Sequence, residues 1–174
     1  MASTAARAVT SGLFVVHSCP KALTSHVEWA LASRIGTVVK LDWSPQPLLP
    51  DTVRAEALWE GPIGTAADVA SSLFGWQHLR FEITEDQTAL SDGGRWMHTP
   101  GLGICHMRTD SAGNAVLTEQ VVHHAIAAAA GDAERLSRAL QRALGAAWDA
   151  ELEPYRQAEF GDATIFALPR LNAG

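Results

Sequence analysis

Leu13-Phe14-Val15-Val16 is an unbroken apolar run, the pattern of a strand covered on both faces. It ends at His17-Ser18-Cys19-Pro20, where Ser18 or Cys19 can cap a helix and Pro20 suits the first turn. The spacing of Leu23, Val27, Ala30 and Leu31 predicts a helix over residues 21–35 that stops at Gly36. Val39, Leu41 and Trp43 alternate with Lys40, Asp42 and Ser44, which predicts a half-buried strand. Pro45, Pro47 and Pro50 then mark a stiff loop. Val53, Ala55, Ala57 and Trp59 alternate with Arg54, Glu56 and Glu60 in a third strand. Thr65-x-x-Asp68 resembles a capping box and opens a helix that buries Ala66, Val69, Ala70 and Leu73 and ends near Gly75. Leu79, Phe81 and Ile83 alternate with charged or polar residues in a fourth strand.

The resulting order is β-α-β-β-α-β, a ferredoxin-like core over residues 12–86. Right-handed crossovers put both helices on one face of its sheet. Lys40, Asp42, Arg54, Glu56, Arg80 and Glu82 are expected on the other face, where their opposite signs can pair.

Residues 1–11 are small and polar and read as a flexible leader. Residues 87–174 read as a β-α-α extension packed on the core within a single domain. Residues 86–95 form its entry loop, and 96–108 give one or two strands interrupted at Pro100-Gly101. Ser111-Ala112-Gly113-Asn114 is a turn, and Thr118 and Asp132 are helix caps. Leu136, Leu140, Leu144, Trp148 and Leu152 recur every four residues, but Arg135, Arg138 and Arg142 come early and Asp149, Glu151 and Glu153 late. That order opposes the macrodipole of one continuous helix, so a break is expected at Gly145. Residues 164–168 suit a closing strand.

Composition narrows the function classes. The chain has 174 residues, 47% of them apolar, enough for a core without staples. The net charge is −6 and Lys occurs twice, so a nucleic-acid or anionic-membrane partner is not expected. The apolar runs are too short for a signal peptide or a membrane span, which makes cytoplasm the expected location. Two cysteines, Cys19 and Cys105, are too few for a disulfide framework. Six Trp against one Tyr is the compositional oddity.

Five groups of residues invite chemistry. Cys19 at a helix start, with His17 two residues before it, has the makings of a thiol nucleophile, against a plain buried cysteine. His17, Cys19, His98, Cys105 and His106 are zinc-ligand types without a zinc spacing, so no metal and no cofactor is expected. His123-His124 on a helix cannot share a face. Gly61-Pro62-Ile63-Gly64-Thr65 precedes a helix but lacks a phosphate-loop pattern. Trp29 falls opposite the buried stripe of the first helix, beside Ala22, Ser25 and Ala32, and is an anchor type for binding unless the C-terminal helices cover it. Trp43, Trp59 and Trp148 fall on inward stripes.

Several stretches together resemble a family of small actinobacterial proteins of unknown function. They are Val16-His17-Ser18-Cys19-Pro20, His26-Val27-Glu28-Trp29-Ala30-Leu31, Leu41-Asp42-Trp43 with Pro45-Gln46-Pro47, and Leu79-Arg80-Phe81-Glu82. Gly75-Trp76, Thr99-Pro100 and Ala147-Trp148-Asp149 with Glu151-Leu152-Glu153-Pro154 belong to the same pattern. The resemblance covers roughly residues 12–170. It implies no activity, so no catalytic residue carries over. It does imply an association with fatty-acid synthesis, and hence a partner among lipid-synthesis or acyl-CoA carboxylase components.

The expected function is therefore non-enzymatic: an accessory or regulatory protein that binds another protein or a small ligand. The surface expected to do so holds Trp29 and His26 on the first helix and Trp43, Pro45 and Pro47 in the following loop. The alternative is a thiol enzyme using Cys19 with His17.

Overall fold

The computed structural model describes residues 8–158 and 166–167. Among them are eight strands and five α-helices. They are β1 Val9–Pro20, α1 Thr24–Ile35, β2 Ser44–Pro45, β3 Thr52–Pro62, α2 Thr65–Leu73, β4 Arg80–Glu85, β5 Gly93–Thr99, β6 Gly103–Thr109, β7 Ala115–Val116, α3 Glu119–Ala129, α4 Ala133–Ala143, α5 Ala146–Gln157 and β8 Phe166–Ala167. Seven strands form an antiparallel sheet in the order β2-β3-β1-β4-β5-β6-β7. β8 pairs with β3 in parallel. The fold is thus mixed α+β.

One face of the sheet carries the main core. Phe14 and Val16 of β1, Val53, Ala55, Ala57 and Trp59 of β3, and Phe81 and Ile83 of β4 pack with Val27, Leu31 and Ile35 of α1 and Ala66, Val69 and Leu73 of α2. The period-two alternation of β3 and β4 supplies the core on one side, as expected from the sequence, and the apolar run of β1 runs between them. Glycine permits one tight crossing here. Gly12 lies opposite Trp59, whose Nε1 passes over it to donate to the Thr84 carbonyl oxygen at 3.1 Å. A Cβ on Gly12 would lie 1.9 Å from that oxygen.

The other face meets α5, through a smaller cluster of Met97, Met107 and Leu152, flanked by Cys105 and Trp148. The expected break at Gly145 is present. α4 ends at Ala143, α5 starts at Ala146, and Gly145 has φ +72°. A left-handed residue ends one helix and lets Asp149 occupy the first turn of the next. Thr118 caps α3 by accepting from Val121 N, and Asp132 caps α4 by accepting from Glu134 N and Arg135 N.

The structure corrects several expectations. Val9–Ser11 are not leader but the first rungs of β1, paired with Glu60, Gly61 and Pro62, and Thr10 is buried. The rest of the expected leader, residues 1–7, lies outside the described residues. The expected strand over residues 39–43 is irregular chain outside the sheet, and only Ser44–Pro45 pair with β3. Its alternation is real, since Val39 and Leu41 are buried, but its polar atoms turn to α1. Lys40 consequently pairs with Glu28 and not on the far face. The box at Thr65 does not form: Thr65 Oγ1 donates to the Pro62 carbonyl oxygen, and Glu85 accepts from Gly64 N at 2.8 Å and Ala66 N at 3.0 Å. The expected β-α-α extension has three strands, three helices and β8 among the described residues. The expected loop over 86–95 ends early, at Gly93. No helix among the described residues is long and apolar enough to cross a membrane.

Candidate binding surface

Glu28 organises the surface around the first helix. It lies three residues before Leu31 and seven before Ile35, so it sits on the inward stripe of α1. A carboxylate there needs partners, because burial without them is costly. Its Oε1 accepts from Leu41 N at 3.0 Å and from the Trp43 indole at 3.1 Å, and Oε2 accepts from Lys40 Nζ at 2.7 Å. Burial pushes this carboxyl up, but the bonds from Lys40, Leu41 N and Trp43 and the Lys40 charge outweigh it and hold it below its usual range. One side chain thereby fastens residues 40–43 to α1.

Trp29 follows Glu28 and points the other way. It is 73% exposed, so the C-terminal helices do not cover it. His26, Pro45 and Pro47 are exposed as well, whereas Trp43 is half-buried against the main core. Trp59 is buried, and Trp43, Trp76, Trp96 and Trp148 pack partly buried against the two cores. Trp29 is therefore the most exposed of the six tryptophans.

The thiol candidates have other surroundings. Cys19 is buried in the main core beneath α1, and its Sγ donates to the Pro20 carbonyl oxygen at 3.4 Å. Burial pushes its pKa up to about 12, so it is a neutral thiol at physiological pH. His17 lies in the bulge of β1 and its Nε2 is 2.7 Å from Glu82 Oε1. Of the other zinc-type residues, His98 stacks on Phe81 and bonds through Nδ1 to the Leu79 carbonyl oxygen. His106 stacks on Trp96 at 4.3 Å, and Cys105 sits under α5. Among the described residues no three His, Cys, Asp or Glu side chains converge on a common point suited to a metal ion. His123 and His124 are exposed, and His123 bonds Glu119 one turn away. The helix start after Gly64, a possible anion seat, is already filled by the Glu85 carboxylate.

The charged face is an ionic network joining sheet and α5. Glu82 Oε1 accepts from Arg156 Nε at 2.7 Å, and Oε2 accepts from Arg95 Nε at 2.8 Å. Arg95 and Arg156 both donate to Asp149 Oδ1 at 2.9 Å. Arg80 donates to Glu151 and lies 5.0 Å from the Tyr155 ring centre. Burial raises the Glu82 carboxyl, but the His17 bond and the charges of His17, Arg95 and Arg156 bring it down to about 2. Such a saturated, charge-balanced carboxylate positions a helix and has no lone pair left for proton transfer to a substrate. Sequence reasoning placed Glu82 and Arg80 on this face but missed Arg95, Asp149 and Arg156, which come together only when α5 folds back.

A family model described as a protein of unknown function (DUF3145) matches residues 13–168. The chain belongs to the DUF3145 family. The match spans most of the stretch in which the sequence motifs resemble a known family. No curated protein and no solved structure matches the chain.

Proposed function

We propose that this DUF3145 protein is a non-catalytic binding protein, an accessory or regulatory partner of another protein, with α1 as its contact face. Trp29 carries the reading. A largely exposed indole on a helix is costly to keep in water and is a strong anchor in an interface. The Glu28 clamp supports it, because it fixes Trp43 and the Pro45–Pro47 loop beside that helix before any partner arrives. We read the β1–β4 half as a ferredoxin-like unit. The antiparallel order β2-β3-β1-β4, with α1 and α2 packed in one core, supports this. The actinobacterial source and a partner in fatty-acid synthesis, such as an acyl-CoA carboxylase component, belong to the same proposal and rest on the sequence resemblance; the cytoplasmic location belongs to it too and rests on the short apolar runs.

The test is affinity purification of the tagged full chain from its native cells, with Trp29→Ala in parallel. The reading requires a partner held by the wild type and lost from the variant. It fails if both return only the lone chain.

A further inference from the structure

Four arginines lie in the sheet, and three are met by carboxylates: Arg80 by Glu151, Arg95 by Glu82 and Asp149, and Arg108 by Asp92. Arg54 of β3 is the exception among the described residues. It is only 8% exposed, its Nη1 has no hydrogen-bond partner, and its Nε donates to the Ser44 hydroxyl at 3.3 Å. A guanidinium keeps its charge at any physiological pH. Its burial without an ion-pair partner among the described residues is therefore a standing cost that an arriving anion would relieve.

The local structure leans this group toward the rim. Ser44 is the cross-strand partner of Arg54 and belongs to β2, the short strand at one end of the sheet order. Ser44 and Pro45 are both exposed. On the other side of Arg54 the β1 register shifts between Val16 and Cys19, so His17 and Ser18 together oppose one residue of β3. Ser18 already accepts from Arg80, and His17 holds Glu82, so the bulge offers Arg54 no carboxylate.

We propose that Arg54, with the Ser44 hydroxyl beside it, anchors an anion site that takes the carboxylate or phosphate group of a small ligand. The planar fork of arginine suits either oxyanion, and a neighbouring hydroxyl adds a second donor. Ser44 lies between Trp43 and Pro45, but the anion site does not use Trp29 and does not depend on the docking role proposed for α1.

The full chain is titrated with sodium phosphate and, separately, sodium acetate, against sodium chloride at equal ionic strength. Melting temperature and calorimetric affinity are read. A saturable rise with phosphate assigns the phosphate class, and one with acetate the carboxylate class. Arg54→Met should weaken that binding about tenfold or more, as loss of a charged hydrogen bond does. Arg54→Lys, which keeps the charge and the fold but not the fork, should fall between. Arg108→Met, in an exposed pair, should bind as the wild type does. The proposal is overturned if neither salt acts beyond chloride, or if Arg54→Met responds like the wild type. It is also overturned if Arg54→Met couples in a double-mutant cycle to Glu159→Gln or Asp162→Asn, because the chain would then supply the anion itself.

Discussion

Arg156 on α5 reaches Glu82 on β4 and donates Nε to Oε1 at 2.7 Å across 74 positions of chain. This pair ties the last described helix to the middle of the sheet. The apolar cluster under α5 is small, with three buried side chains, so the ionic network carries a large share of the docking. Arg156→Ala leaves the Glu82 carboxylate buried with one cation fewer. It should cost about 3 kcal/mol, the usual effect of removing one partner of a buried pair. Urea denaturation measures the loss, and hydrogen exchange should show it first in α5. If α5 amides keep wild-type protection in Arg156→Ala, the network does not hold the helix.

Acid should undo the same contact. The Glu82 carboxyl is held at about 2 in the folded chain against 4.5 ordinarily. A depressed acid stabilises the fold fully above its unfolded pKa, and that contribution disappears as pH falls toward the folded value. The shift corresponds to about 3 kcal/mol, lost between roughly pH 5 and pH 2. A shallower decline should begin below about pH 6.5. Burial lowers the pKa of His98 and His106, so these bases charge more readily in the unfolded chain. Glu82→Gln should flatten the steep limb and leave the shallow one, in stability measured across that range.

Glycine positions set the backbone limits of the two cores. Gly12→Ala would drive a Cβ against the Thr84 carbonyl oxygen and the Trp59 indole nitrogen, so β1 must move away from β4. A loss of about 2 kcal/mol or more is expected from overpacking of this kind. Gly145→Ala adds a left-handed penalty of about 1 kcal/mol to contacts with Met97, Cys105 and Met107. Thermal melts of both variants check the order, with Gly12→Ala the more damaged.

How much of this was legible beforehand depends on whether the determinants were local. An unbroken apolar run gave β1, alternation gave β3 and β4, and short-range chemistry gave the caps at Thr118 and Asp132 and the break at Gly145. Residues 39–43 misled because alternation reports burial of one side and says nothing about where the backbone bonds go. There Glu28, and not a neighbouring strand, takes the Leu41 N–H. The Thr65 cap misled in the same way, since Glu85, 19 residues beyond Ala66, accepts the Ala66 N–H. Helical angle put Trp29 on the outer face of α1, but whether the C-terminal helices cover it is a tertiary question that only the fold answers. That Arg54 forms no ion pair among the described residues was not legible, because it depends on where the other strands place their carboxylates.

The thiols should be inert. Burial pushes Cys19 up to about 12, and Cys105 is raised too, by burial and by the Asp149 charge. Iodoacetamide at pH 8 should therefore label native protein slowly at both sites, with Cys105, the more exposed, reacting first. Denaturant should release Cys19 to the rate of a free cysteine. Rapid native labelling of Cys19 would restore the thiol-enzyme alternative.

Trp29 offers the sharpest separation of folding from binding. Its side chain is 73% exposed, so truncation removes little buried area. Trp29→Ala should change unfolding free energy by no more than about 0.5 kcal/mol. The other five indoles are packed on the cores, so Trp29 should account for most of the acrylamide-quenchable, red-shifted emission. Trp29→Phe should lose that fraction and leave the remaining spectrum intact. Once a partner is in hand, wild-type emission should shift blue on mixing and its quenching should fall, because an interface strips water from the ring. An indole that stays quenchable in the complex would place the contact elsewhere than α1. A Trp29→Ala variant that melts well below the wild type would show that the ring contributes to the fold after all.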